Sequence, residues 1–327
     1  MALDWHQPKG ALMQDAVIDA VVIGRNEGVR LIACLRSLQG RVRRLVYVDS
    51  GSSDGSVEAA RSMGAEVVAL DLRLGFTAAR ARNAGLAVLE NPEFVQFVDG
   101  DCEVREGWFA AALAGFAVHR GAVVVCGRRR ERFPEASVYN RLADMEWDTP
   151  LGAALACGGD ALMRFAAVRS VGGYDASLIA GEEPELCLRL RRAGGEVWRI
   201  DVEMTLHDAN LRHFGQWWRR MVRTGFAFAE GAARYGAAPE RHWVVEVRRA
   251  VVWGILLPVA VIVAGVLHPL GWLLVLSYPA QVLRLARRGG LAWGFFTVVG
   301  KFAEARGVVS YWVNRVRGRS RGLIEYK

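Results

Sequence analysis

Three short apolar runs, each closed by a polar turn, constrain the fold most. They are AVIDAVVIG (16–24), RLVYVD (44–49) and FVQFVD (94–99). Between them lie stretches of helical character, GVRLIACLRSLQG (28–40), VEAARSMG (57–64) and TAARARNAGLAVL (77–89), and a fourth short run, EVVAL (66–70). Uninterrupted apolar strands alternating with helices predict an α/β fold, a mainly parallel sheet covered by helices on both faces. In such sheets ligands meet the carboxyl ends of the strands. Two of the runs end in an acid, which places Asp49 and Asp99 on one edge, facing one cleft.

The chain has 327 residues, more than one compact core usually accommodates, and 52% of them are hydrophobic, which excludes wholesale disorder. The cysteines, Cys34, Cys102, Cys126, Cys157 and Cys187, form no CxxC pair. That spacing argues against a disulfide framework or a structural zinc and suits a reducing compartment. The first sixteen residues lack the charged start and apolar run of a signal peptide. A net charge of +8 raises the question of nucleic acid. Much of the excess flanks the C-terminal apolar segments, however, so anionic lipid headgroups are the expected partner and nucleic acid is not.

Those segments set the last third apart. AVVWGILLPVAVIVAGVL (250–267) carries no charge, and after His268-Pro269 neither does LGWLLVLSYPAQVL (270–283). Arg248 and Arg249 stand at one end, Arg284, Arg287 and Arg288 at the other. The pattern predicts membrane-associated helices, a hairpin with both ends on the cytoplasmic face of the cell membrane. A buried helical pair in a soluble domain is the competing reading. LAWGFFTVVG (291–300) is too short to span, and residues 301–322 mix aromatics with arginine as an interfacial helix does. The expected organisation is an extension over 1–16, a catalytic domain over 17–225, a helical connector over 226–249, the hairpin over 250–288 and a basic amphipathic segment over 289–327.

The acids carry the chemistry. Aspartate is depleted in strands, so Asp49 at a strand end points to a ligand, although a turn-bonding aspartate is the bland reading. Asp54 suits a cap for the following helix, as does Ser56. The first strand is followed by GRNEG, not GxGxxG, and no Walker A sequence occurs, so acids rather than a glycine cradle meet the ligand. Asp99 and Asp101 flank Gly100. Projecting to one side of an extended segment, they offer hard oxygen ligands to Mg²⁺ or Mn²⁺. Glu182 and Glu183 open a helix in AGEEPELCLRLRRAGG (180–195), with Pro184 in its first turn. They are either dipole-favoured acids or a general base.

Taken in order, VVIGRNEG, VDSGSSDGS, FVDGD, VGGYD and GEEPELCLRLRRAG resemble the family 2 glycosyltransferases with a GT-A (Rossmann-like) fold, over roughly residues 17–225. The resemblance implies that Asp49 contacts the base of a nucleotide-sugar donor, with Asp54 supporting that loop. It implies that Asp99 and Asp101 bind ribose, diphosphate and a divalent metal, with His207 near them. Glu183 takes the base position; glutamate stands where the family more often has aspartate, so Glu182 remains a candidate beside it. Arg82 falls in a segment near the donor phosphates, or on an exposed helix face. Gly158, Gly159 and Asp160 fall in an acceptor-side loop. Gln216 and Arg219 match the first and fourth positions of a QxxRW segment, but Arg220 replaces its tryptophan, which argues against processive polymer synthesis. The GLIEYK ending and the apolar pair before it resemble membrane-associated bacterial members. The implied activity is inverting transfer of a hexose, from UDP by prior, to a saccharide or lipid-linked acceptor of envelope or exopolysaccharide assembly. A GT-A-like nucleotidyltransferase and a catalytically silent membrane-bound sugar-binding scaffold are the alternatives.

Overall fold

The computed structural model describes residues 16–318. Residues 1–15 of the expected extension and the GLIEYK ending lie outside them. The chain forms two compact units. The first runs to Phe133 and adds Glu146–Leu178 and Glu182–Ala209; the second comprises Pro134–Met145, Ile179–Gly181 and the chain from Asn210 onward.

The first unit is one sheet with helices around it. Its strands are β1 (Ile18–Gly24), β2 (Arg44–Asp49), β3 (Glu66–Ala69), β4 (Phe94–Asp99), β5 (Cys102–Val104), β6 (Ala122–Glu131), β7 (Gly152–Ala153), β8 (Ala161–Arg164) and β9 (Glu196–His207). The order is β3-β2-β1-β4-β8-β6-β9-β5, with β7 on β9. The first four strands are parallel, as their apolar runs predict. Beyond β4 the sheet is mixed: β8 is antiparallel to β4 and β6, β9 is parallel to β6, and β5 and β7 are antiparallel to β9. The four residues of β8 are too few to show a period in the sequence.

Register places the site. Gly24 of β1 pairs with Asp49 of β2, and Ile23 pairs with Asp99 of β4. Both aspartates therefore stand at the carboxyl edge, either side of β1. Helices α1 (Val29–Leu38), α2 (Ser56–Ser62), α3 (Ala78–Ala87) and α4 (Trp108–Val118) follow β1, β2, β3 and β5. Thr77 starts α3 by accepting the Arg80 N–H at 3.2 Å. The core is aliphatic, with Val21, Val22, Val46, Val48, Phe97 and Leu35 fully buried. Asp19, also buried, is held by Arg43 in a two-pronged pair at 2.9 and 2.7 Å.

The second unit is helical. Its elements include part of α5 (Val138–Trp147), then α8 (Phe214–Tyr235), α9 (Val244–Val251), α10 (Leu257–Leu267) and α11 (Ser277–Val316); α6 (Phe165–Ser170) and α7 (Glu182–Arg192) belong to the first unit. Helices α8 and α11 cross so closely that a side chain at Gly225 would collide with the Glu304 backbone. Around that crossing Trp217, Met221, Val222 and Ala303 form one core, and Ile179, Phe226, Ala250, Val308 and Tyr311 another.

The expected hairpin takes a different form. Val244–Leu267 is a continuous helical stretch of 24 residues, with mean hydropathy 2.7 over its most apolar 18, and among the described residues it alone is long and apolar enough to cross a membrane. The return run is not α-helical throughout. Pro269–Leu276 winds as a 3-10 helix, and α11 then takes up the uncharged 277–283 and carries Arg284, Arg287 and Arg288 up to a break at Gly289-Gly290. The 3-10 segment reaches about 16 Å and 277–283 about 10 Å more, against ~30 Å of hydrocarbon.

Candidate active site

Asp49 lies where β2 enters its turn and is 6% exposed. Its carboxylate is largely occupied by that turn. Oδ2 accepts the N–H groups of Gly51 (2.9 Å) and Ser52 (3.0 Å), and Oδ1 accepts the Tyr47 hydroxyl (3.1 Å). The Ser52 N–H is shared with Oδ1 at 3.3 Å, so each of the roughly four acceptor positions of the carboxylate is engaged within the turn. Asp54 does not cap α2; Gly55 holds the cap position. Asp54 instead binds the Ser56 hydroxyl (2.6 Å) and N–H (3.1 Å), which draws its pKa down. The loops after β1 and β2 are stitched together: Asn26 N–H donates to Ser52 Oγ at 2.9 Å, and Ser53 N–H to Asn26 Oδ1 at 2.8 Å.

Asp99 and Asp101 do not share one extended segment: Asp99 ends β4. Gly100 and Asp101 form the turn between β4 and β5, and the Gly100 N–H donates to the Ile23 carbonyl at 2.8 Å. The two carboxylates therefore serve different neighbours. Asp99 Oδ1 accepts from Arg82 at 2.8 Å. Asp101 Oδ2 lies 3.0 Å from His207 Nε2, because β5 pairs with the end of β9 and puts Cys102 beside His207.

Arg82 is the hub. It is 1% exposed, not on an outer helix face. One terminal nitrogen holds Glu182 at 2.9 Å and Glu183 at 3.0 Å; the other holds Asp99. Burial alone would lower its pKa, but Glu183 and Asp99 reverse this and raise it well above the ordinary value. The guanidinium thus joins the β4 edge to the start of α7, from a position 100 residues away from Glu182. Glu182 and Glu183 do open α7. Burial, then the neighbouring Glu182, pushes Glu183 up to about 7, although Arg82 opposes the shift.

The 158–160 loop closes on this hub. A Cβ at Gly159 would lie 2.6 Å from Asp99 Oδ2 and 2.8 Å from an Arg82 terminal nitrogen, so only glycine fits. A Cβ at Gly158 would lie 3.0 Å from Arg129 Nη2. Asp160 is fully buried and ties three strands together. It accepts the Asp99 N–H (3.0 Å) and the Thr205 hydroxyl (2.8 Å) and pairs with Arg129 Nε (3.1 Å).

The residues fit a divalent cation. His207 is pushed down to about 4, chiefly by burial and then by Arg129, so its imidazole is neutral and has a lone pair to offer. It stacks on Trp147 at 4.6 Å between centroids, and its Nδ1 is buried without a hydrogen-bond partner among the described residues. Donor atoms of Asp101, Cys102 and His207 fall within 4.8 Å of one another, as do those of Asp99, Cys102 and Asp160. Burial raises the Cys102 pKa well above normal, so the thiol is a poor ligand and the oxygen and imidazole donors remain. The carboxylates Asp101, Asp160 and Glu182, all buried, and the half-buried Asp99 outnumber the guanidiniums Arg82 and Arg129 that face them. That excess negative charge also suits a bound cation.

Gln216 and Arg219 lie in the second unit. Gln216 caps α8, its Oε1 accepting the N–H groups of Arg212 (2.8 Å) and His213 (3.0 Å), and Arg219 is exposed. Sequence reasoning missed Arg129, Thr205 and Trp147. Only RRR (128–130) carried a signal, and three consecutive arginines on a strand do not say which one faces inward.

The comparisons agree with this layout. The family model described as Glycosyl transferase family 2 matches residues 19–170. A pre-mycofactocin glycosyltransferase of Mycobacterium tuberculosis is 29% identical over 248 residues, 70% of this chain and 50% of that protein. The succinoglycan biosynthesis protein ExoA of Rhizobium meliloti is 26% identical over 204 residues, 58% of this chain and 60% of that protein. The chain thus spans about half the length of the first of these relatives. A mannosyltransferase from Pyrobaculum calidifontis, solved with GDP-Man and Mn²⁺, superposes with a TM-score of 0.65 at 19% identity, covering 93% of this chain and 91% of that one. At that identity the superposition speaks for the fold alone. Residues 19–170 thus carry a match to the family 2 glycosyltransferases, on a mixed α/β sheet of GT-A type in which Asp99 and the two glutamates that open α7 gather around one guanidinium.

Proposed function

We propose that the chain transfers a hexose, with inversion, from a nucleotide-sugar donor to a hydroxyl of a saccharide or lipid-linked acceptor. The observation that carries this reading is the Arg82 fork, which holds Asp99 and the Glu182-Glu183 pair within hydrogen-bonding distance of one group. It sets a candidate base beside the strand edge where the diphosphate binds in the proposed reaction. Asp49 receives the base, with UDP the preferred nucleotide and Asp54 supporting its loop. Asp101 and His207, with Asp99 beside them, hold Mg²⁺ or Mn²⁺. Such a cation, when bound, neutralises the diphosphate and improves it as a leaving group.

Glu183 is the base of choice. It is the more exposed of the two glutamates, 15% against 5% for the side chain, and its pKa near 7 suits proton transfer at neutral pH. It takes the acceptor hydroxyl proton as that oxygen bonds to the anomeric carbon. The bond from that carbon to the diphosphate oxygen breaks on the opposite face, and its electron pair leaves with the diphosphate. The loop at Gly158–Asp160 borders the transferred sugar. The C-terminal apolar segments hold the protein to the cytoplasmic face of the cell membrane, where lipid-linked acceptors of envelope or exopolysaccharide assembly are found.

Calorimetry with UDP-, GDP- and TDP-sugars, in Mn²⁺ and in EDTA, tests the reading. Wild type binds at least one of them only with metal, and Asp101→Ala loses that binding. Glu183→Gln keeps donor binding and loses transfer. A folded wild type that binds no member of the panel would sink the proposal and favour a silent scaffold.

A further inference from the structure

The second unit contains its own argument about how it meets a membrane. Val244–Leu267 spans about 36 Å at 1.5 Å per residue, enough to cross. Yet the helix before it and the helix after it lie together. In the crossing of α8 and α11, Phe226 meets Tyr311 edge-on at 5.4 Å between centroids, and Gly225 abuts Glu304. A chain that crossed the bilayer would have to come back before residue 304. The return leg falls short of a full span: eight residues of 3-10 helix and the seven uncharged residues 277–283 at the start of α11 reach about 26 Å together, against ~30 Å of hydrocarbon, before Arg284, Arg287 and Arg288, all exposed, and the break at Gly289-Gly290.

The geometry points to a re-entrant wedge, in which residues 254–276 enter one leaflet and leave on the side they entered. The wedge has a closed base. Tyr278 donates its hydroxyl to the Trp253 carbonyl at 2.9 Å and stacks on Phe302 at 5.6 Å between centroids. From that base the outgoing arm, 254–267, reaches about 21 Å, and the returning Pro269–Leu276 about 16 Å. Half of a ~30 Å hydrocarbon layer is about 15 Å, so the tip stops near the midplane.

The tip itself is built for hydrocarbon. Val266 is 77% exposed, Leu267 79% and Leu270 66%, while His268, the polar side chain at the turn, accepts the Leu270 N–H through Nδ1. A loop emerging among the far headgroups would need polar side chains that this one lacks. The base carries the opposite chemistry. Trp253 and Tyr278 suit the interface, and Arg248, Arg249 and Arg287 suit anionic headgroups. The occupant of the apolar surface is therefore the acyl region of a single anionic leaflet.

The test needs no sugar transfer, so it stands or falls apart from the proposed reaction. The native cysteines are all buried, so His268→Cys can carry a nitroxide label, with Val266→Cys as a second position. The full chain is bound to phosphatidylglycerol vesicles, and spin relaxation is measured with oxygen and with a water-soluble nickel chelate. Both labels are expected to be open to oxygen and closed to nickel added outside or trapped inside, and vesicle binding to weaken at least tenfold when phosphatidylcholine replaces phosphatidylglycerol. Relaxation by trapped nickel would show a full crossing. Relaxation by outside nickel, unchanged by vesicles, would show that the wedge does not insert. Either result overturns the inference.

Discussion

Replacing Arg82 by alanine should be the most damaging single change in the first unit. Three carboxylates, Asp99, Glu182 and Glu183, lie 2.8–3.0 Å from its two terminal nitrogens, and the guanidinium is almost wholly buried. Removing one partner of a buried ion pair costs about 3–5 kcal/mol, because the other charge is left without compensation. For a unit of this size 1 kcal/mol corresponds to roughly 2–4 °C, so the melting temperature should fall by about 6–20 °C. The loss should depend on pH. Arg82 is the group that holds the Glu183 pKa down, so without it the carboxyl rises further above about 7. A carboxyl whose folded pKa is raised binds a proton that the unfolded chain, at about 4.3, has released. The variant should therefore be least impaired in mild acid and lose stability as pH rises through the raised pKa. Melting curves from pH 5.5 to 8.5 read this directly. Arg82→Lys, with charge but no fork, should fall between. An Arg82→Ala protein melting within 2 °C of wild type across that range would refute the account of Arg82 as the hub.

Other outcomes follow from the same geometry. With Glu183 near 7, kcat/KM should rise with pH through an apparent pKa near 7 and level off above it; a profile flat from pH 5.5 to 8.5 would remove Glu183 as the base. Gly159→Ala would drive a methyl into Asp99 and Arg82, so transfer should drop at least about tenfold while the protein still folds; unchanged turnover would show that the loop yields.

What the sequence disclosed, and what it did not, divides by the range of the interaction. The parallel strands were legible because β1, β2 and β4 are buried on both faces and read as unbroken apolar runs; the register that sets Asp49 and Asp99 on one edge follows. Glu182 and Glu183 were legible as the start of α7, because a helix N-terminus is a local signal. Arg82 and Asp160 were named through the family resemblance alone, Arg82 with an exposed helix face as the other reading; their burial was not legible. The acids that bury Arg82 lie 17 and 100 residues away, and Asp160 is held by Thr205 and the Asp99 N–H from other strands. Arg129 was opaque for the same reason, since its partner Asp160 is distant in sequence. Hydropathy found the C-terminal apolar run but mistook its shape, because a 3-10 turn and an α-helix of the same composition look alike in sequence.

The fork also couples events that the linear motifs keep apart. Asp99 raises the Glu183 pKa through its charge, and from the other terminal nitrogen it also offsets the charge of the Arg82 guanidinium that would lower it. Neutralising Asp99 removes both influences at once, and both act in one direction. In metal-free protein Asp99→Asn should therefore move the Glu183 titration, followed by the ¹³C shift of its carboxyl, to lower pH, towards its ordinary carboxylate range. The same substitution in an Arg82→Ala background should move it less, because the guanidinium charge is gone and only the direct repulsion between the carboxylates is relieved. Equal shifts in the two backgrounds would mean that Arg82 does not mediate between the strand edge and the base, and that the two acids interact through space alone.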